Sequence, residues 1–169
     1  MLGERLVPAD YASLLNRFYA AATEVLIRRD ALIDKLIGDE VMALFIPGIC
    51  GPDYRRKAAE SAVALLKAVG YGPAREPWMP IGVAVNSGVT FVGNVGAEGV
   101  VDFTALGDTV NTASRLATNA AAGEVLLSED VYDALAGKYP GAERRTLSLR
   151  GKEVSIGVHV LTQATSSAP

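Results

Sequence analysis

Between Tyr11 and Phe45 the hydrophobic period of this chain changes from helical to extended within a few residues. Tyr11, Leu14, Leu15, Phe18, Ala22, Val25 and Leu26 recur at i, i+3, i+4 and i+7. That spacing gives an amphipathic helix with one buried face, and Val7-Pro8 opens it, since proline suits the first helical turn. Residues 31–36 and 40–46 then read as two short strands. Gly38-Asp39 lies between them as a tight hairpin turn. A helix running straight into a hairpin must lay its apolar stripe across the sheet, so the chain is committed early to helices packed on strands.

The same grammar continues. Pro47, Gly48, Gly51 and Pro52 break the pattern as a loop, and a second helix is expected over about 53–69. Residues 81–86 and 90–95 read as a strand pair turning at Ser87-Gly88. Residues 103–106 lead into a third helix over about 108–118, with Asp108 as its N-cap. A short strand at 125–127, a helix at 129–135 capped by Ser128, and a strand pair at 146–149 and 154–161 close the pattern. The expected class is α+β, one antiparallel-rich sheet covered by helices. Residues 1–162 form the domain, and the polar tail 163–169 is expected to be disordered.

Composition narrows the function. With 169 residues, 50% hydrophobic and 21% charged, the chain can bury a full single-domain core. A formal net charge of −3 argues against a broad nucleic-acid surface. One cysteine, Cys50, and one histidine, His159, exclude a disulfide framework and a zinc site built on these residues. The most apolar window, 81–101, is interrupted by Asn86, Ser87, Asn94, Glu98 and several glycines, so no membrane segment is expected. The N-terminus lacks the apolar core of a signal peptide. A cytoplasmic location is the expectation.

Three stretches could carry chemistry. In Lys35-Leu-Ile-Gly-Asp39-Glu40 a carboxylate sits on an open turn, where a hard-oxygen ligand suits Mg²⁺; an ordinary solvated hairpin tip is the competing reading. In Phe103-Thr104-Ala-Leu-Gly107-Asp108-Thr-Val-Asn111-Thr-Ala-Ser-Arg115, Asn111 and Arg115 share one helix face. A neutral amide beside a guanidinium suits a sugar and a phosphate, although a surface arginine and asparagine would look the same. Arg150-Gly-Lys152 places two cations on a turn, which is also common for a hairpin tip. No G-x-x-x-x-G-K-[ST] motif exists, which excludes a P-loop.

Taken in order, these stretches strongly resemble the catalytic domains of class III nucleotidyl cyclases, the adenylate and guanylate cyclases. LLNRFY, DKLIGDEVMALF, IGVAVNSGVTFVGNVG and FTALGDTVNTASRL all look like that family, and the resemblance spans about Leu2 to Leu161. It implies a ferredoxin-like sheet and a head-to-tail dimer, formed with a second copy or another cyclase-domain chain, with composite sites at the interface. It implies Asp39 as a metal ligand for Mg²⁺ or Mn²⁺, and Lys35 and Thr104 as base contacts. It further implies Asn111 on the ribose, Arg115 on the transition state and Lys152 on the terminal phosphates. The implied reaction is conversion of ATP to cyclic AMP and pyrophosphate. Lys35 is donor-only and favours the unprotonated N1 of adenine over the N1–H of guanine. Thr104 can donate or accept, so it leaves the base open.

One departure bears on activity. The family's first strand, which carries another metal-binding aspartate, has no counterpart before Leu2-Gly-Glu-Arg-Leu. The sheet is therefore expected to lack its N-terminal strand and the chain alone to turn over poorly. Truncation, a decayed nucleotide- or partner-binding module, and a strand donated by another chain are the three explanations. Gly38-Asp39-Glu40-Val41 also resembles the GG[DE]EF signature of diguanylate cyclases, but Ile37 and Val41 depart from it.

Overall fold

The computed structural model describes residues 6–72, 76–97, 99–149 and 155–162. Helix α1 (Pro8–Ile27) leads into the hairpin β1 (Leu32–Ile37) and β2 (Glu40–Leu44). A single helical turn, α2 (Pro47–Cys50), occupies the stretch read as loop, and α3 (Tyr54–Ala68) follows. Then come β3 (Val83–Val85), the hairpin β4 (Phe91–Ala97) and β5 (Val100–Leu106), and α4 (Asp108–Asn119). Strand β6 (Val125–Ser128), α5 (Glu129–Asp133), β7 (Glu143–Leu147) and β8 (Ile156–Leu161) complete the order.

The α+β class is as the sequence reads, but the hydrogen bonding falls into three sheets among the described residues. Hairpins β1-β2 and β4-β5 stand apart from a four-stranded sheet ordered β3-β6-β8-β7. Strand β6 explains how that sheet is covered on both faces. All four of its residues are buried. Val125 and Leu127 enter the larger core with Phe18 and Ala22 of α1 and Ala59 and Leu66 of α3. Leu126, on the opposite face, joins Leu116 of α4 with Val158 and Val160. Period-2 alternation on one strand thus glues helices to two sides. Ile33, Val41 and Ala43 of the first hairpin and Val83 and Val85 of β3 pack on the same larger core, although no strand pairing joins those two sheets among the described residues.

One strand pairing differs from the sequence reading. Residues 81–86 and 90–95 do not pair with each other. β3 runs parallel to β6, Val83 opposite Val125, while β4 pairs antiparallel with β5, Phe91 opposite Leu106, through Gly99 at φ +89°. The Ser87-Gly88 stretch is held by the start of α4 instead. Asn86 Nδ2 donates to the Thr109 carbonyl at 2.9 Å, and Thr109 Oγ1 donates to the Val89 carbonyl at 2.8 Å. A Cβ on Gly88 would lie 2.7 Å from Thr109 Oγ1. The glycine there serves a close approach, not a turn.

Helix starts also differ in detail. Gly107, not Asp108, is the N-cap of α4, at φ 144° and ψ 177°. Ser128 is the N-cap of α5, but its hydroxyl donates to Asp130 Oδ1 at 2.8 Å and makes no bond to the helix backbone. The final strand pair forms between β7 and β8, with β7 beginning at Glu143, earlier than read.

Candidate functional site

The two hairpins and α4 enclose a cleft of about 450 Å³. Lys35, Ile37, Glu40 and Met42 come from β1 and β2, and Val95, Asp102 and Thr104 from β4 and β5. Asn111 and Ser114 close it from α4. Three elements distant in sequence thus bring Lys35, Thr104 and Asn111 to one place.

The strand geometry explains the lining. On β5, Asp102, Thr104 and Leu106 line the cleft, joined by Ala105 at the helix end of the strand, while Val101 and Phe103 lie outside the lining and stay exposed. On β1 the alternation is interrupted. Ile33 pairs with Ala43 and Lys35 with Met42, so Asp34 is an extra residue in a β-bulge. A bulge re-aims a side chain. Ile33 packs on the core, yet both Asp34 and Lys35 reach β5.

Two polar links result. The Lys35 ammonium donates to Asp102 Oδ2. Thr104 Oγ1 donates to Asp34 Oδ2 at 3.0 Å. The hydrogen bond with Asp102 holds the Lys35 ammonium above the usual lysine range, against the opposing effect of desolvation, with the nearby charges of Asp102 and Asp34 adding. Thr104 is buried at 5% exposure. Asp34 Oδ1 is buried with no hydrogen-bond partner.

Helix α4 is placed by glycine as much as by its apolar face. Gly107 holds a backbone conformation that is essentially glycine-only. It sits against Thr90, whose Oγ1 donates to the Leu106 carbonyl at 2.7 Å. Leu116, fully buried, anchors the far end of the helix. Asn111 then falls on the cleft. Arg115, one turn on, is partly exposed and not among the lining residues; no ion pair among the described residues holds its guanidinium.

The remaining expected residues lie elsewhere. Asp39 is exposed on the β1–β2 turn, beyond Ile37 and Glu40, and does not line the cleft. Gly38 takes φ +58°, and Tyr19 of α1 ties the tip down by donating to the Gly38 carbonyl. Lys152 lies outside the described residues. The sequence reading gives Asp34 and Asp102 no role and names Glu40 only as the end of the Lys35–Glu40 stretch. Asp102 sits two residues before Thr104, so its place on the same strand face was available from the alternation, whereas nothing in the period pointed to Asp34. Cys50 is buried, its thiol donates to the Asp30 carbonyl at 3.2 Å, and burial pushes its pKa up, so it is no nucleophile. His159 is stacked on Tyr132 and bonded to Glu129 at 2.9 Å, outside the cleft lining.

Known proteins resemble the chain in sequence and in fold. A family model described as the adenylate and guanylate cyclase catalytic domain matches residues 2–163. An adenylate cyclase of Anabaena cylindrica is 27% identical over 94% of this chain and 33% of its own length. An uncharacterized protein of Mycobacterium tuberculosis is 31% identical over 90% of this chain, which spans 27% of that relative. Among solved structures, the guanylyl cyclase Cya2 superposes with a TM-score of 0.79 at 23% identity, covering 94% of this chain and 83% of that one. The adenylyl cyclase CyaB from P. aeruginosa gives 0.73 at 23% identity, covering 95% and 86%. Among the described residues no helix is long and apolar enough to cross a membrane. The α+β architecture and a motif-bearing cleft point the same way as the match over nearly the whole sequence: this chain belongs to the adenylate and guanylate cyclase catalytic domain family.

Proposed function

We propose that the chain converts ATP to 3′,5′-cyclic AMP and pyrophosphate, at a site completed by a second cyclase domain. The observation that carries this reading is that Lys35, Thr104 and Asn111, from three separate elements, line one cleft. Adenine offers an acceptor, N1, next to a donor, the 6-amino group. An ammonium can only donate, so Lys35 suits N1, while the N1–H of guanine would meet donor against donor. The Asn111 amide suits the ribose hydroxyls and would hold the 3′-hydroxyl in line with the α-phosphorus. The 3′-oxygen bonds to that phosphorus as the bond to pyrophosphate breaks, and the hydroxyl proton passes to solvent. Arg115 is the cation for charge building on the α-phosphoryl oxygens. Lys152 is assigned to the terminal phosphates.

Asp39 fits a Mg²⁺ or Mn²⁺ that arrives on the triphosphate, because such ions are held by one or two carboxylates plus phosphate oxygens. When bound, such an ion supplies charge neutralisation on the phosphates and a more acidic 3′-hydroxyl. Asp39 lies off its own cleft, so we assign it to the site that a partner chain completes. Val101 and Phe103, each more than half exposed and outside the cleft lining, supply an apolar surface for a second copy.

A nucleotide-binding module without turnover is the second reading. It is favoured by Asp39 lying outside the cleft that Lys35, Thr104 and Asn111 line. Chromatographic product analysis with ATP and GTP, alongside calorimetry with the imido analogue of ATP, separates these readings. Cyclic AMP in excess over cyclic GMP supports the first. Analogue binding without product supports the second. Cyclic GMP as the main product, or no binding at all, sinks the adenine assignment.

A further inference from the structure

A threonine hydroxyl has one proton and two lone pairs, so alone it cannot tell adenine from guanine. At Thr104 the proton is already committed. Oγ1 donates to Asp34 Oδ2 at 3.0 Å, and an ionised carboxylate can only accept. What Thr104 has left for the cleft is lone pairs. We infer that Asp34 is a specificity-determining positioning residue, which fixes Thr104 as an acceptor and thereby selects adenine over guanine. This inference rests on the reading of Lys35 and Thr104 as the base-recognising pair.

Three observations support it. First, Asp34 reaches Thr104 only because the bulge between Ile33 and Lys35 removes it from strict alternation; in a regular strand it would face away from Lys35. Second, Thr104 is buried at 5% exposure, so water competes weakly for its proton. Third, Asp34 Oδ1 is buried without a partner. A carboxylate kept there at that cost is not a solvated surface charge. The resulting edge is a donor at Lys35 beside an acceptor at Thr104. It complements N1 and the 6-amino group of adenine. Guanine would put N1–H against the ammonium and O6 against the threonine lone pairs, two mismatches at once.

The test compares affinities of the full chain for the imido analogues of ATP and GTP, by calorimetry with Mg²⁺. Asp34→Asn is nearly isosteric and adds a donor, so the Thr104 proton can turn toward the cleft. The expected result is that the wild type favours the ATP analogue and that Asp34→Asn narrows this preference about tenfold, roughly the worth of one hydrogen bond. Asp34→Ala moves the ratio the same way, and circular dichroism identifies a variant that fails to fold. In a Thr104→Val background, Asp34→Asn leaves the ratio unchanged, because there is no hydroxyl to orient. An adenine preference that stays within about twofold in Asp34→Asn, or that shifts equally without the Thr104 hydroxyl, overturns this inference alone. A wild type that favours the GTP analogue or binds neither overturns the base-recognition reading and this inference with it.

Discussion

Lys35 does two jobs at one atom. Its ammonium is held by Asp102 on the neighbouring hairpin, and its side chain lines the cleft, where the proposed function assigns it to the base. Lys35→Ala should lower affinity for the ATP analogue by roughly tenfold, one charged hydrogen bond or more, with little loss of stability because Asp102 is exposed and such pairs contribute little. Calorimetry and a thermal melt read the two effects separately. The Glu124–Arg145 pair, away from the cleft, is structural. The guanidinium grips both carboxylate oxygens at 2.9 and 3.0 Å, and Glu124 also accepts from the Ala121 N–H at 3.0 Å. These bonds, led by Arg145, hold the Glu124 carboxyl below its usual range. A carboxyl depressed on folding stabilises above its unfolded pKa, and that stability is lost as pH falls through the folded value. Glu124→Gln should therefore cost about 1–2 kcal/mol at neutral pH and flatten the loss of stability on acidification below about pH 4.5. Urea titrations from pH 7 to 3 would show it; parallel curves for the two proteins would count against the assignment.

Elements with a long period were legible, and their pairings were not. The repeats in α1 and α3, and the Asn111/Arg115 face of α4, follow from i, i+3, i+4 spacing alone. Ser87-Gly88 has the chemistry of a hairpin turn, yet tertiary contact with Thr109 decides its conformation. The β1 bulge is invisible to any pattern that assumes strict alternation, which places Asp34 on the face opposite Lys35. Of the cleft residues, Lys35 and Asn111 stand out beside turn and helix motifs, whereas Thr104 is marked by the family resemblance alone. Asp102 needed only the register of β5, Val95 opposite Asp102, which followed once β4 had its true partner. Gly107 sets how α4 leaves β5. Gly107→Ala should destabilise the protein by about 1–3 kcal/mol, the strain of a side chain in that region of backbone space. It should also weaken nucleotide binding beyond what stability explains, since Asn111 follows one turn later. Denaturation and calorimetry on one preparation would separate the two losses.

At the scale of the molecule, both hairpins turn apolar side chains outward. Phe103 is 52% exposed and Val101 59%, on the face of β5 opposite Thr104. Burial of these residues by a second copy is the expected outcome. Phe103→Asp should shift sedimentation from dimer toward monomer, and a wild type that stays monomeric at high concentration would contradict the dimer reading. The separation of the sheets has a further consequence. An isolated two-stranded hairpin is marginally stable, and the cleft is built on two of them, while β6 is buried on both faces inside four strands. Amide protons of β1, β2, β4 and β5 should therefore exchange with solvent well before those of β6 and β8. The binding hairpins can open while the four-stranded sheet stays closed. A nucleotide that bridges them would tie their breathing together, so protection gained on ligand addition should concentrate in those four strands.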